Sequence, residues 1–203
     1  QLAKDRKSFY IEYTSCQTGL TGNHSFGRLD IPSTKLVPYA QLGKGYNEVL
    51  ISPNETHLAV RQSYGNKPWE MYVKENNPTK SDLLQITHST SDAFESYRWI
   101  DPEVISFKGS DGVDVFARIY EPEAGKKNGA AVLFVHGAGY LQNAHHYWSN
   151  YYREYMFHHL LREQGYTVLD VDYRASEGYG RDYRTAIYRH MGGRDLEDFI
   201  DAK

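Results

Sequence analysis

The feature that most restricts the fold is VLFVHGAGY at residues 132–140, an apolar run that ends in a histidine and a glycine-rich loop. The preceding AAVLFV is too short for a helix and apolar on both faces, which is typical of a central strand in a covered sheet. A second such strand, TVLDVD, follows a segment with helical spacing of Tyr152, Met156, His159, Leu160 and Glu163. A further helix is expected after residue 180. Strand, helix, strand, helix predicts an α/β domain with a mainly parallel sheet.

Residues 7–99 have a different pattern, with short β-like runs separated by turn residues. FYIEYTS aligns with HLAVRQS, GRLDI with WEMYV, and LVPYAQL with LLQIT, at a shift of about 42 to 48 residues that matches a four-stranded propeller blade. Ser52, Pro53 and Asn54 predict a tight turn between a strand ending near Ile51 and one starting near His57. The pattern predicts two blades, with a β-sandwich as the alternative.

A new domain is predicted to start after Trp99. PEVISFKGSDGVDVFARIYEPE has the pattern of a hairpin with Gly109 to Gly112 as its turn. Its second strand places Val113, Val115, Ala117 and Ile119 on one face.

Composition excludes several classes of protein. The 23 basic residues nearly cancel 26 acidic ones, so no global field favours nucleic acid. Cys16, the only cysteine, excludes an internal disulfide and a cysteine zinc site, and we expect it to pack in a core. No run reaches the roughly 18 apolar residues of a membrane span. The start, QLAKDRKSFY, has no initiating methionine or signal-peptide core, so it is expected to be internal.

The loops HGAGY and YRASEGYG each follow a predicted strand of the α/β domain. Ligands of open α/β sheets bind at the carboxyl ends of such strands. In HGAG, the glycines allow backbone N–H groups to converge on one point, as stabilisation of a tetrahedral oxyanion requires. A plain strand-to-helix turn is the alternative.

Four motifs in this order resemble the prolyl oligopeptidase family of serine peptidases, and most of all its dipeptidyl-peptidase-IV-type branch: SFKGSDGVDVFARIYEP, VLFVHGAGY, GYTVLDVDYRASEGYGRDY and HMGGRDLEDFIDA. The resemblance covers essentially the whole chain. It implies a mixed fold, in which residues 1–100 are the last blades of a β-propeller and residues 101–203 are the first half of an α/β-hydrolase domain. The chain would then be an internal fragment of such a peptidase.

Two positions depart from the family pattern. The branch has a tyrosine in the oxyanion loop where this chain has His136, as acylaminoacyl-peptidase-like relatives do. The resemblance therefore assigns the oxyanion contacts to the loop of His136, Gly137, Ala138 and Tyr140, through Tyr140 or through the backbone N–H groups of Gly137 and Ala138. The second departure is Ala175, where the family usually has glycine, and we expect it to alter loop packing only.

The nucleophile of such hydrolases lies in a G-x-S-x-G elbow, and the 203 residues contain no such motif. Ser176 has an arginine two residues before it and lies one strand too early, so it is not expected to be the nucleophile. The catalytic Ser, Asp and His are expected after Lys203, and the 203-residue chain alone is predicted to be inactive.

Three clusters of polar residues have alternative interpretations. The pairs His145-His146 and His158-His159 suggest zinc, but no H-E-x-x-H or H-x-H occurs, so packing or solvation is favoured. An acidic group suggests a metal, but its position favours interaction with a helix N-terminus; it consists of Asp195, Glu197 and Asp198. Four arginines could hold a carboxylate or phosphate, although pairing with Asp172, Asp182 and Glu177 is favoured; they are Arg174, Arg181, Arg184 and Arg189.

The sequence thus predicts that the complete protein is a serine peptidase that cleaves oligopeptides through an acyl-enzyme. An esterase and an inactive binding or structural chain are the alternatives. No cofactor and no metal are expected. The expected partner is a peptide substrate, without nucleic acid or a membrane-spanning segment, and a homodimer is left open. The resemblance weakly favours the periplasm or secretion over the cytoplasm. It does not separate dipeptidyl-, endo- and acylaminoacyl-peptidases.

Overall fold

The computed structural model describes residues 1–14, 21–80, 82–138 and 140–203. Cys16, with its predicted packing role, and Gly139 of the HGAG loop lie outside the described residues. The chain forms two compact units. Most of the N-terminal unit is Asn23–Arg98, and most of the C-terminal unit is Trp99–His145 and Ser149–Lys203.

The N-terminal unit is built on one sheet. Its strands are β1 (Ser8–Thr14), β2 (His24–Asp30), β3 (Leu36–Pro38), β4 (Tyr46–Ile51), β5 (His57–Tyr64), β6 (Lys67–Glu75) and β7 (Leu84–Gln85). Two short helical segments complete it, a 3₁₀ turn (Ala40–Leu42) and α1 (Asp92–Glu95). The strand order is β1-β2-β4-β5-β6-β7, with β3 paired to β2. Among the described strands of this unit, all pairs are antiparallel except a single parallel bridge between His24 and Tyr46.

The internal alignment of the sequence has a structural counterpart in this unit. The segments containing β1, β2 and β3 align with those containing β5, β6 and β7, and each set pairs in the same antiparallel succession. The predicted turn at 52–54 is confirmed, because β4 ends at Ile51, β5 begins at His57, and the Ser52 N–H donates to the His57 carbonyl at 3.0 Å. Alternation along β5 buries Leu58 and Val60 in the core with Tyr10, Phe26 and Tyr72.

The C-terminal unit is a mixed sheet with helices. Its strands are β8 (Glu103–Lys108), β9 (Asp114–Tyr120), β10 (Ala131–Phe134) and β11 (Thr167–Asp172), and its helices are α2 (Tyr152–Glu163), α3 (Arg181–Arg184) and α4 (Arg194–Ala202). The predicted hairpin is confirmed, with Gly109 donating to the Val113 carbonyl at 2.8 Å. The prediction of a mainly parallel sheet is wrong for the described residues. Only β10 and β11 are parallel, because the hairpin joins the sheet through an antiparallel β9–β11 pair.

Strand β10 was expected to be central, but the order β10-β11-β9-β8 places it at an edge of the described sheet. Its apolar character on both faces therefore leaves Leu133 38% exposed, and Val135 just after it 59% exposed. Strand β11 instead lies inside the sheet, between β10 and β9, and its Val168 and Val171 are fully buried. Val115 and Ala117 of β9 complete the core with Val171, against Phe199 of α4.

Helix α2 forms as predicted, but of the five residues at helical spacing only His159 is buried. Met156 and Leu160 are exposed, whereas Tyr155, His158 and His159 are buried. The Tyr155 hydroxyl donates to the Ile100 carbonyl at 2.8 Å, and the Ile100 N–H donates to His159 Nε2 at 3.0 Å. These ring contacts satisfy buried polar groups, which an aliphatic stripe could not do. Packing, the role favoured for these histidines from the sequence, is observed for His158 and His159, which are both buried.

Among the described residues, no helix combines the length and apolarity needed to cross a membrane.

Candidate active site

The two predicted functional loops meet at one edge of the C-terminal unit. Because β10 and β11 are parallel, the HGAGY loop and the loop after Asp172 both leave the sheet at strand carboxyl ends. The Tyr173 hydroxyl donates to the His136 carbonyl at 2.9 Å, and the two rings stack with centroids 4.7 Å apart. The start of the HGAGY loop is therefore fixed to the end of β11.

The His136 side chain is directed into the protein and is only 3% exposed. Its Nδ1 lies 3.0 Å from the Gly137 carbonyl oxygen, and its Nε2 lies 3.2 Å from both Asp172 Oδ1 and Ser176 Oγ. Burial lowers the pKa of His136, but the hydrogen bond and charge of Asp172 outweigh it, and the pKa is raised. Both ring nitrogens thus have neighbours within the fold, and the ring anchors the loop.

Ser176, His136 and Asp172 contain the residue types of a catalytic triad but not its geometry. In a triad, one imidazole nitrogen faces the serine and the other faces the carboxylate. Here Nε2 faces both groups, and Ser176 is fully buried. The arrangement cannot present the Ser176 hydroxyl to a substrate, in agreement with the missing elbow motif.

Asp172 is the centre of the hydrogen-bond network below the loops. Its buried carboxylate accepts the backbone N–H groups of Asn143 and Ala144 at 2.7 and 2.9 Å and the Tyr179 hydroxyl at 2.6 Å. The Tyr183 hydroxyl donates to the Asp172 carbonyl at 2.6 Å. The Asp172 carboxylate thereby holds the segments that contain His136, Asn143 and Tyr179 in fixed positions around the strand ends.

The remaining residues of the predicted oxyanion loop lie at the surface. Gly137, Ala138 and Tyr140 are exposed, and the Tyr140 ring lies 5.4 Å from the Arg184 guanidinium. The Gly137 N–H donates to the hydroxyl of Tyr151 at 3.1 Å. Sequence reasoning did not identify Tyr151, because nothing in the local pattern marks a tyrosine 14 residues further along the chain.

An apolar cleft of about 510 Å³ adjoins the loop. Leu133 and Val135 line one side, Leu196 and Phe199 of α4 line another, and Ala138 lies at the loop. The exposed face of β10 is therefore continuous with the surface beside Ala138. A cleft of this size and character accepts apolar groups.

Arg174 joins the loop after β11 to α4 and to the β8–β9 turn. Its Nε lies 2.9 Å from Asp198 Oδ1, its backbone N–H donates to Asp198 Oδ2 at 2.7 Å, and its guanidinium also pairs with Asp111. The hydrogen bonds to Asp198 raise the pKa of Arg174. The expected pairing of Arg174 with Asp172 or Glu177 is wrong, because helix α4 supplies a buried carboxylate. Arg181 does pair with Asp182, at the surface.

The acidic group at the start of α4 is divided among different partners. Asp198 is fully buried on Arg174, Asp195 accepts the Gly192 N–H at 3.1 Å, and Glu197 pairs with Arg194 at 2.6 Å. Among the described residues, no three metal-binding side chains form a cluster. Asp195 and Glu197 occupy the first turn of α4, where carboxylates interact favourably with the helix dipole.

Ala175 occupies the position where the resembled family has glycine, and its φ is 122°. L-residues rarely adopt this backbone conformation, whereas glycine does so without strain. Ala175 is also buried. The departure therefore changes backbone strain, and the expectation that it alters packing only is wrong.

The structure defines an α/β unit with a loop site at the carboxyl ends of two parallel strands, preceded by an antiparallel sheet unit. A model of the prolyl oligopeptidase family matches residues 150–203. An uncharacterized peptidase YuxL of Bacillus subtilis (strain 168) is 27% identical over 202 residues, which are 98% of this chain and 28% of that protein.

Two solved structures share the fold. Dipeptidyl peptidase 4 of Porphyromonas gingivalis aligns with a TM-score of 0.74 and 18% identity over 96% of this chain and 27% of its own. Acylaminoacyl peptidase of Pyrococcus horikoshii aligns with a TM-score of 0.69 and 19% identity over 96% of this chain and 28% of its own. The resemblance to the prolyl oligopeptidase family is confirmed. The chain spans just over a quarter of the length of these relatives.

Proposed function

We propose that the protein containing this chain is a serine peptidase that hydrolyses oligopeptides through an acyl-enzyme. The observation that carries the proposal is the HGAGY loop, which is fixed at a strand carboxyl end by His136 while Gly137 and Ala138 are exposed. Fixed backbone N–H groups at such an edge suit an oxyanion, since their orientation costs nothing during the reaction. The match to the prolyl oligopeptidase family supports peptide substrates.

In the proposed mechanism, a serine hydroxyl attacks the peptide carbonyl carbon and passes its proton to a histidine. The carbonyl oxygen becomes an anion, which the N–H groups of Gly137 and Ala138 stabilise. Collapse of this tetrahedral intermediate breaks the C–N bond, and the histidine gives its proton to the leaving amine. Water then hydrolyses the acyl-enzyme by the same steps. None of the 203 residues lies in a G-x-S-x-G elbow, so the nucleophile, acid and base are assigned to other parts of the protein.

We infer that Tyr151, rather than Tyr140, provides the hydroxyl of this oxyanion site. Its oxygen already lies 3.1 Å from the Gly137 nitrogen, whereas the Tyr140 ring is engaged with Arg184. A tyrosine hydroxyl can donate to an anion and accept from an N–H group. Tyr151 can therefore occupy the acceptor position in the free enzyme and donate to the oxyanion during catalysis.

We also infer that residues 1–100 are the last blades of a β-propeller and residues 101–203 the first half of an α/β-hydrolase domain. The repeated antiparallel succession of β1–β3 and β5–β7 supports the first assignment. The parallel β10–β11 pair, with loops at its carboxyl end, supports the second.

The test is labelling of the full-length protein with a fluorophosphonate, followed by assays with peptide and ester substrates. The proposal expects labelling of one serine, loss of the label when the elbow serine is changed to alanine, and hydrolysis of peptides. Ser176→Ala is the matched control and retains the label. Labelling at Ser176, hydrolysis of esters alone, or the absence of labelling and hydrolysis would each contradict the proposal.

A further inference from the structure

A second cavity, of about 420 Å³, is lined in part by Ala138 and Tyr140 of the HGAGY loop. We call it the arginine pocket. Arg184 and Arg189 contribute its charged groups, and Ile187 and Met191 contribute its apolar surface. Because Ala138 lines both this pocket and the apolar cleft, the arginine pocket adjoins the proposed oxyanion site.

The two arginines differ from the other arginines of the same region. Arg174, Arg181 and Arg194 each pair with a carboxylate of this chain. Within the described residues, Arg184 and Arg189 have no carboxylate partner. Their guanidinium groups lie 5.4 Å and 5.3 Å from the ring centroids of Tyr140 and Tyr188. Stacking on a ring fixes the plane of a guanidinium while its N–H groups stay available for a ligand.

The backbone around the pocket is held in unfavourable conformations. Tyr140, Ala175 and Arg189 line it with φ of 59°, 122° and 60°, and they are three of the six non-glycine residues with positive φ in the described part of the chain. Strained backbone persists where the surrounding structure imposes it, and it is concentrated at functional sites. The strain here coincides with the pocket that carries the unpaired cations.

We propose that the arginine pocket binds a carboxylate of the peptide substrate, either its C-terminal carboxylate or an acidic side chain near the scissile bond. The proposal rests on the proposed peptidase function and adds a substrate class to it. Two guanidinium groups match the planar geometry of a carboxylate. Ile187 and Met191 would contact the aliphatic part of the same residue.

The experiment uses the full-length protein and pairs of peptides that differ in one carboxylate. One pair has a free or an amidated C-terminus, and the other has glutamate or glutamine next to the cleaved bond. For at least one pair, kcat/KM of the acidic peptide is expected to exceed that of the neutral peptide about tenfold, because only the acid can form charge-assisted hydrogen bonds with the arginines. The pair that shows the preference identifies the source of the carboxylate.

Arg184→Gln and Arg189→Gln are each expected to reduce the ratio of kcat/KM for the acidic peptide to kcat/KM for the neutral peptide towards one. Arg153→Gln is the matched control, because Arg153 also lies over a tyrosine ring, that of Tyr152, at 4.6 Å, and does not line the pocket. The control keeps the wild-type ratio. An acid preference that persists in both pocket variants, or no acid preference in the wild type, would overturn the proposal.

Calorimetric titration with both pairs of acid and neutral peptides separates this proposal from the peptidase function. If no peptide is hydrolysed, the peptidase function fails, but tighter binding of the acid that is lost in Arg184→Gln would still support the pocket. Equal binding of the acid and the neutral peptide in both pairs would overturn the pocket even if all of them were hydrolysed.

Discussion

Replacement of Ala175 by glycine is expected to stabilise the protein slightly, although glycine usually destabilises a buried site. The φ of 122° at Ala175 costs about 2 kcal/mol. Glycine relieves this strain, but it adds about 0.8 kcal/mol of unfolded-state entropy and loses about 0.8 kcal/mol of methyl burial. The net expectation is a gain of about 0.5 kcal/mol in the free energy of unfolding.

The matched control is Ala117→Gly, which removes an equally buried methyl group from the regular strand β9. It has the same two costs without relief of strain, so it should destabilise by about 1.6 kcal/mol. The difference between the variants, about 2 kcal/mol, measures the strain at Ala175. Urea unfolding followed by circular dichroism gives both values. Equal destabilisation by both substitutions would refute the assignment of strain to Ala175.

Three further predictions follow from the buried groups and the proposed site. Burial lowers the pKa of His158 from its ordinary 6.5 to about 4, so stability is complete above about pH 6.5 and falls by about 3 kcal/mol as the pH drops towards 4. In urea unfolding across this range, His158→Gln should flatten the fall and the exposed His190→Gln should not; a fall unchanged in His158→Gln would contradict the assignment. Arg174→Gln should lower the free energy of unfolding by about 3 to 5 kcal/mol, because it leaves Asp198 buried and unpaired. Arg181→Gln at the surface pair should hardly move the urea midpoint, and equal midpoints for the two variants would refute the argument. In the proposed peptidase, Tyr151→Phe should lower kcat at least about tenfold with little change in KM, and Tyr152→Phe should not; steady-state kinetics that show unchanged kcat for Tyr151→Phe would exclude its role.

Local chemistry was enough to predict several elements from the sequence. The turn at 52–54, the hairpin turn at 109–112 and the existence of helix α2 depend on residues near one another in the chain, whose conformational preferences are strong. The placement of the two loops at one edge also follows from two neighbouring parallel strands.

Features that depend on distant partners could not be predicted in this way. The buried face of α2 is set by contacts to Ile100, which is more than 50 residues away. Arg174 is paired with residues 24 and 63 positions away, and sequence reasoning chose nearer carboxylates. The position of β10 depends on which strands pair, and an apolar run does not distinguish an edge from a centre.

Within the candidate site, the sequence identified the loop but not the orientation of its side chains. His136 was grouped with the oxyanion residues by its position in the motif, and the structure directs its ring to Asp172. The proximity of Tyr151 to Gly137 arises from the path of the chain between β10 and α2, which no motif encodes.

A crystal structure of the full-length protein with a fluorophosphonate bound to its nucleophile would locate the oxyanion site. The phosphonyl oxygen marks the position of the oxyanion. This oxygen is expected to lie about 3 Å from the backbone nitrogen of Gly137 or Ala138. An adduct whose oxygen contacts neither nitrogen would contradict the assignment of the HGAGY loop as the oxyanion site.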